Sequence, residues 1–338
     1  MPRAVVLGGA GFIGSHLVDR LVREGWSVVV VDDVSTGTWD NGTSWPAAQV
    51  ARFAHDISLP LPFSLLKGPS VDVVIHLASP ASPLHYRRLS LETLRVNSIG
   101  TERALALCQD LDARFVYVST SEVYGDPDVS PQPEEYWGRV NSVGPRACYY
   151  ESKRFGEALT IEYVRRTKVS ACIVRLFNCY GPRMLLEDGR VVPNFMAQAL
   201  RREPLTIYGS GLQTRSFCYV DDMIEALYRV TRSKALSGEV LNVGNPEEIT
   251  IAELARLVAD IAESPLMLRY LPLPEDDPNS RRPDIGKAWR LIQWTPSISL
   301  RPGLERTWRY FLAKWLRTGG ISSERPGQSP TIFRGGSS

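Results

Sequence analysis

The apolar run Ala4-Val5-Val6-Leu7 breaks directly into Gly8-Gly9-Ala10-Gly11-Phe12-Ile13-Gly14, and apolar residues then recur at Ile13, Leu17, Leu21 and Val22. That pattern reads as a buried strand, a tight turn and an amphipathic helix. Glycines 8, 11 and 14 form G-x-x-G-x-x-G. So tight a turn needs residues without Cβ. The helix that opens from it offers free N–H groups and the positive end of its dipole. This is the architecture that receives a dinucleotide pyrophosphate, and it commits the chain to alternating strands and helices.

The rest of the first half follows the same plan. Val28 to Val31, Val71-Asp72-Val73-Val74-Ile75 and Arg114 to Val118 are further strand-like runs. Strands separated by helices imply right-handed crossovers and a parallel sheet covered on both faces. From about Gly181 the pattern changes. Pro182, Pro193, Pro204, Pro272, Pro274, Pro278 and Pro283 cut it into short elements, with helical stretches at 193–202, 220–233 and 250–263. The expected class is α/β, a Rossmann-type doubly wound parallel sheet with a smaller C-terminal substrate-binding lobe. Residues 1–180 are expected to form the dinucleotide-binding domain, with later strands from about 205–245. Residues 181–317 are mainly the substrate-binding lobe. Residues 318–338, rich in Gly, Ser and Pro, read as a disordered tail.

Composition narrows the function classes. Of 338 residues 43% are hydrophobic and 22% charged, and the net charge of +2 is too small to draw a nucleic acid. Cys108, Cys148, Cys172, Cys179 and Cys218 include no C-x-x-C pair, and the four histidines form no H-E-x-x-H, so reduced thiols and no metal are expected. Val28 to Val31 is far shorter than the ~20 residues of a bilayer span. The strand pattern starts by Arg3, which leaves no room for a leader; the expectation is a cytoplasmic protein with no membrane partner.

Asp32 ends the second strand. A carboxylate there can accept from the adenosine ribose hydroxyls and would repel a 2′-phosphate, and no arginine follows through Gly37, so NAD is preferred over NADP. Asp56, after the third strand, is either a partner for the adenine amino group or a loop-capping residue. Tyr149-Tyr150-Glu151-Ser152-Lys153 holds Y-x-x-x-K, which on a helix puts Tyr149 and Lys153 on one face. A phenol with a pKa of about 10 is a poor base at neutral pH. An ammonium and a positive nicotinamide beside it are expected to lower that value. Ser119-Thr120-Ser121-Glu122 closes the fifth strand, at the carboxyl edge where such sheets bind ligands.

Taken together, these residues resemble the extended short-chain dehydrogenase/reductase superfamily of sugar-nucleotide epimerases, dehydratases and decarboxylases, over about residues 3–312. Within it the chain is most similar to the UDP-glucuronate decarboxylases (UDP-xylose synthases). The likeness is carried by His76-Leu77-Ala78-Ser79-Pro80-Ala81-Ser82-Pro83, Thr120 to Pro127, Gly144-Pro145-Arg146-Ala147-Cys148-Tyr149 and Phe177-Asn178. It continues through Gly181 to Met184, Asp188 to Val192, Tyr208 to Arg215 and Arg281-Arg282-Pro283-Asp284-Ile285.

The resemblance implies that Gly8, Gly11, Phe12, Ile13, Gly14, Asp32, Asp33, Ser35, Thr36, Gly37, Asp56, Ile57, Leu77, Ser79, Val96, Val118, Cys179 and Arg190 surround NAD with Tyr149 and Lys153. It implies that Asn178, Tyr208, Gln213 and Arg215 hold the UDP part of a UDP-sugar. Thr120, Glu122, Tyr149, Lys153 and Arg281 become the working residues, with Arg281 also meeting the substrate. The alternative readings make Glu122 an N-cap-like structural acid and Arg281 a solvated arginine in a polar loop. Tyr150 and Ser152 depart from the family's usual acidic residue and glycine. Cys179 replaces a common threonine, and Arg95 a common lysine.

The implied activity is conversion of UDP-glucuronate to UDP-xylose and CO2 through a 4-keto sugar, with NAD recycled. A 4,6-dehydratase is the first rival, but Ser121 stands where that family carries its acid. A UDP-hexuronate or hexose 4-epimerase and a branched-pentose synthase are others. A non-catalytic Rossmann module usually lacks the Tyr/Lys pair. The family pairs through two helices per subunit, here 88–108 and 145–166, so a homodimer is expected.

Overall fold

The computed structural model describes residues 1–60, 68–275, 278 and 280–319. The first half contributes strands β1 (Arg3–Leu7), β2 (Ser27–Asp32), β3 (Val50–Ala54), β4 (Val73–His76), β5 (Arg114–Thr120) and β6 (Ala171–Leu176). Helices α1 (Phe12–Arg23), α2 (Pro83–Arg88), α3 (Ser90–Asn97), α4 (Ile99–Leu111) and α5 (Ala147–Arg166) alternate with them. The second half adds β7 (Cys179–Tyr180), β8 (Leu205–Tyr208), β9 (Thr214–Ser216), β10 (Cys218–Tyr219), β11 (Val240–Val243), β12 (Glu248–Thr250) and β13 (Leu268–Leu271). Its helices are α6 (Val191–Arg201), α7 (Val220–Arg232), α8 (Ile251–Ile261), α9 (Gly286–Ile292) and α10 (Leu300–Arg317).

Seven strands form one sheet in the order β11-β6-β5-β4-β1-β2-β3, and every pairing in it is parallel. The two-residue period of a strand explains why β1 and β2 are apolar throughout. Ala4, Val6, Val28 and Val30 face a core shared with Leu17 and Leu21 of α1 and Met223 and Leu227 of α7. Val5, Leu7, Val29 and Val31 face the opposite core, with Ala104, Leu105 and Cys108 of α4. Each such side chain, fully buried, stabilises the fold by roughly 1.5–3 kcal/mol. Of the stretch 205–245, β11 joins the central sheet, whereas β8, β9 and β10 pair with β13, β12 and β7. The smaller layer packs α6, α8 and α10 together.

The helix expected over 88–108 is two helices, α3 and α4. They meet at Ser98, whose hydroxyl donates to the Leu94 carbonyl at 2.6 Å. Asn97, the last residue of α3, is fully buried and donates to Ser79 and Ser152 at 3.0 Å each. Most of the tail expected over 318–338, from residue 320 onward, lies outside the described residues.

A buried ion pair joins α5 to the sheet. Arg175 on β6 forks onto Glu157 of α5 at 2.9 and 2.7 Å, and Ser119 at the end of β5 donates to the same carboxylate at 2.6 Å. Removing one partner strands a buried charge. Arg175→Met is therefore expected to cost about 3 kcal/mol of stability, read from the urea unfolding midpoint; an unmoved midpoint would show that the pair carries no weight.

Candidate active site

The strands of the central sheet all end on one edge, and a cleft of about 980 Å³ opens there. Its lining includes every residue expected around the dinucleotide, the UDP-sugar and the reacting centre, from Gly8 and Asp32 to Arg215 and Arg281. Residues as far apart as Phe12 and Arg281 thus face one space.

Gly8 and Gly14 have no room for a side chain. Gly8 has φ 83°, and a Cβ on Gly14 would sit 2.1 Å from the Gly8 carbonyl oxygen. That contact lets α1 start hard against β1. Gly11 caps the helix in extended backbone without a side-chain acceptor, so the first N–H groups point at the cleft unclaimed by a cap. Asp32 accepts from the backbone N–H of Ala10 at 2.9 Å and of Val34 at 2.8 Å. Burial pushes its carboxyl above the usual range, and those amides work against the shift. Asp56 accepts from Ser58 N–H at 2.8 Å, so it caps its own loop while facing the cleft. A pyrophosphate and two riboses fit such a cradle of bare amides and carboxylates, which is the donor set of a dinucleotide site.

Tyr149 and Lys153 lie on one face of α5, and both are buried. Burial raises Tyr149 to about 12, and a Thr120 hydrogen bond only partly offsets this. Lys153 Nζ donates to the Val118 carbonyl at 2.9 Å, and burial lowers it to about 7. The two departures inside Y-x-x-x-K both have partners. Tyr150 donates to the Asn141 carbonyl at 2.7 Å, and the Ser152 hydroxyl accepts from Asn97 and donates to the Cys148 and Tyr149 carbonyls.

Glu122 lies in a short 3₁₀ turn (Ser121–Tyr124) capped by Thr120, whose hydroxyl accepts from Glu122 N–H at 3.2 Å. Its carboxylate sits between two buried arginines. Arg281 Nη1 donates to it at 2.7 Å, and Arg146 Nη2 donates to both its oxygens at 2.9 and 3.0 Å. Burial alone would raise Glu122, but Arg281 and Arg146 outweigh it and hold the carboxyl below its ordinary value. Arg281 is 5% exposed, which excludes the solvated-loop alternative. Its Nε is buried without a hydrogen-bond partner among the described residues, leaving one donor uncommitted. Arg146 belongs to the string Gly144-Pro145-Arg146-Ala147-Cys148-Tyr149 and carried no role of its own in the sequence. A basic residue three positions before Tyr149 was the available signal, but nothing in the spacing shows that it meets a glutamate from another strand end.

Further out, Arg190 forks onto Asp188, its Nε at 2.8 Å and Nη2 at 2.5 Å. Asn178 donates to the Ser216 carbonyl at 3.1 Å, Gln213 to the Tyr208 carbonyl at 2.6 Å, and Arg215 to the Pro278 carbonyl at 2.6 Å. Tyr208 is 41% exposed at the cleft mouth.

Residues 4–244 match the model of the NAD dependent epimerase/dehydratase family. UDP-glucuronic acid decarboxylase 2 of Arabidopsis thaliana is 49% identical over 305 residues, 89% of this chain. The chain spans 66% of that relative's length, just under two thirds. UDP-glucuronic acid decarboxylase 1 of Danio rerio is 46% identical over 91% of this chain and 72% of its own. Among solved structures, the UDP-glucuronic acid 4-epimerase of Bacillus cereus, in complex with UDP-glucuronic acid and NAD, superposes with a TM-score of 0.83. It is 29% identical and is covered over 99% of its length by 92% of this chain. With the glycine cradle, the Tyr149/Lys153 helix and these likenesses in agreement, the chain belongs to the NAD dependent epimerase/dehydratase family and uses NAD as its cofactor.

Proposed function

We propose that this protein decarboxylates UDP-glucuronate to UDP-xylose and CO2. The observation that carries the reading is the buried Arg146–Glu122–Arg281 cluster beside Thr120 and Tyr149, with Ser121 where a dehydratase carries its acid. The identity to the decarboxylases of Arabidopsis thaliana and Danio rerio supports it. Gly8, Gly11, Phe12, Ile13, Gly14, Asp32, Asp33, Ser35, Thr36, Gly37, Asp56, Ile57, Leu77, Ser79, Val96, Val118, Cys179 and Arg190 surround the dinucleotide in this reading, with Tyr149 and Lys153. Asn178, Tyr208, Gln213 and Arg215 take the UDP moiety at the mouth.

Bound NAD supplies a reversible hydride acceptor for the sugar C4. Tyr149 takes the O4 proton, and its value of about 12 in the protein alone means that it needs positive charge beside it to act near neutrality. Thr120 shares a hydrogen bond with the same oxygen. A ketone at C4 places the sugar carboxylate β to a carbonyl, so CO2 can leave into an enolate. Thr120 and Tyr149 stabilise that developing oxyanion. Arg281, which lines the cleft, meets the sugar carboxylate with a guanidinium N–H while Nη1 stays on Glu122. A loose hold matters, because tight pairing would stabilise the ground state and slow CO2 loss. Glu122 orients the ring or a water for reprotonation at C5, after which Tyr149 returns its proton to O4.

The same reading pairs two copies through α3, α4 and α5, where Leu91, Leu94, Ile99 and Phe155 are exposed. Five free cysteines suit a reducing compartment such as the cytoplasm. Among the described residues no helix is long and apolar enough to cross a membrane.

Purified protein given UDP-glucuronate and NAD is expected to release CO2 and form a UDP-pentose, identified by mass and NMR. An isobaric UDP-hexuronate as sole product would move the assignment to epimerisation. Tyr149→Phe should lower turnover by about a thousandfold. Glu122→Gln should lower kcat for decarboxylation by roughly tenfold to a hundredfold with little change in KM; unchanged kcat would remove Glu122 from the chemistry. Lys153 gives a pH prediction. Its value is about 7 folded and 10.5 unfolded, so between these the unfolded chain binds the extra proton and stability rises with pH. Without NAD, the stability of the parent relative to Lys153→Met should climb from pH 7 toward 10 in parallel urea titrations, and a flat difference would refute the buried neutral amine.

A further inference from the structure

Tyr86 lies in α2, outside every motif that drew attention to the site. Its ring is 1% exposed and lies parallel on the ring of Tyr149, with centroids 5.0 Å apart and planes 4° from parallel. Cys148, the residue before Tyr149, donates its thiol to the Tyr86 carbonyl at 3.5 Å. The helix that carries Tyr86 is fixed at its start by Ser82, whose hydroxyl accepts from His85 N–H and bonds the His85 ring. The Tyr86 hydroxyl is buried beside the Arg146 guanidinium and the Glu122 carboxylate. One side chain thus covers a face of Tyr149 and also reaches the ion pair across the site.

We propose that Tyr86 is a positioning residue whose ring fixes the plane in which Tyr149 presents its hydroxyl to the substrate. The proposal rests on the assignment of Tyr149 as proton acceptor. A phenol on a helix is free to swing about two side-chain torsions. Thr120 restrains the oxygen of Tyr149, but a single hydrogen bond leaves the ring free to rotate about it. A flat neighbour anchored through Cys148 removes that freedom. Proton transfer needs heavy atoms within about 2.6–3.2 Å. A misplacement near 1 Å costs up to about a hundredfold in rate. An aliphatic side chain of similar volume would fill the space without supplying a flat face.

The test compares the full chain with NAD as parent, Tyr86→Phe and Tyr86→Leu, using UDP-glucuronate and reading kcat, KM, the pH profile of kcat and the melting temperature. Tyr86→Leu is expected to lose roughly tenfold to a hundredfold in kcat, with KM within about threefold and the ascending limb of the pH profile displaced. Tyr86→Phe keeps the flat face and should stay within about threefold of the parent. A purely structural aromatic would lower the melting temperature and leave kcat and the pH profile alone, which overturns the proposal. So does Tyr86→Phe falling as far as Tyr86→Leu at the parent's melting temperature. Where Tyr86→Leu fails to fold, Tyr86→Met replaces it under the same criteria. If the parent releases no CO2 but interconverts UDP-hexuronates, the decarboxylase assignment fails, and the Tyr86 comparison is read on that turnover, which calls on the same base.

Discussion

A seven-stranded sheet in which every pairing is parallel has one consequence that governs this protein. All strands point the same way, so all their carboxyl ends meet on one edge, and every crossover must return along a face. The faces are therefore fully covered, and the edge alone is left to carry polar groups. Gly8 after β1, Asp32 closing β2, Asp56 after β3, Ser79 after β4, Thr120 closing β5 and Asn178 after β6 all emerge there. Close approach of α1 to β1 completes the arrangement, because a single methyl on Gly14 would collide with the Gly8 carbonyl at 2.1 Å.

The edge is also where buried charge is concentrated and where it is balanced. Glu122 remains ionised because two arginines repay its desolvation. Glu157 is held by Arg175 and Ser119 in the layer behind. Groups without such partners shift toward their neutral forms. Burial, aided by the nearby Lys153, pushes His76 down to about 3, and burial drops Lys153 itself to about 7. Tyr149 moves the other way, to about 12. The reacting centre is thus a low-dielectric place in which one added positive charge has a large effect on the phenol. That sensitivity is what the proposed reaction asks of a base that must give its proton back.

Several departures from the family's usual sequence have local explanations of the same kind. Ser152, in place of a glycine, takes a buried hydrogen bond from Asn97 and so fastens α5 to α3. Tyr150, in place of an acid, closes onto the Asn141 carbonyl in the loop before α5. Both hold the loop and the helix start that position Tyr149 and Arg146, and neither alters a reacting group.

The sequence alone determined the α/β class, the dinucleotide turn, the Tyr149/Lys153 helix and the membership of Thr120 and Glu122 in the carboxyl edge. All of these depend on local periodicity, on glycine's missing Cβ or on short spacings, which are properties of contiguous residues. It left open whether Arg281 was a site residue or a surface one, and it passed over Arg146 as a partner for Glu122 and Tyr86 as a neighbour for Tyr149. Arg281 and Glu122 are 159 positions apart and Arg146 and Glu122 are 24 apart, so no periodicity links them. Nor does the spacing of Tyr149 and Lys153 show how far burial lowers the Lys153 ammonium. Tertiary structure decided those points, because an ion pair, a ring stack and a pKa each depend on which groups share a dry volume. That sharing exists only once the sheet has brought the ends of distant segments together.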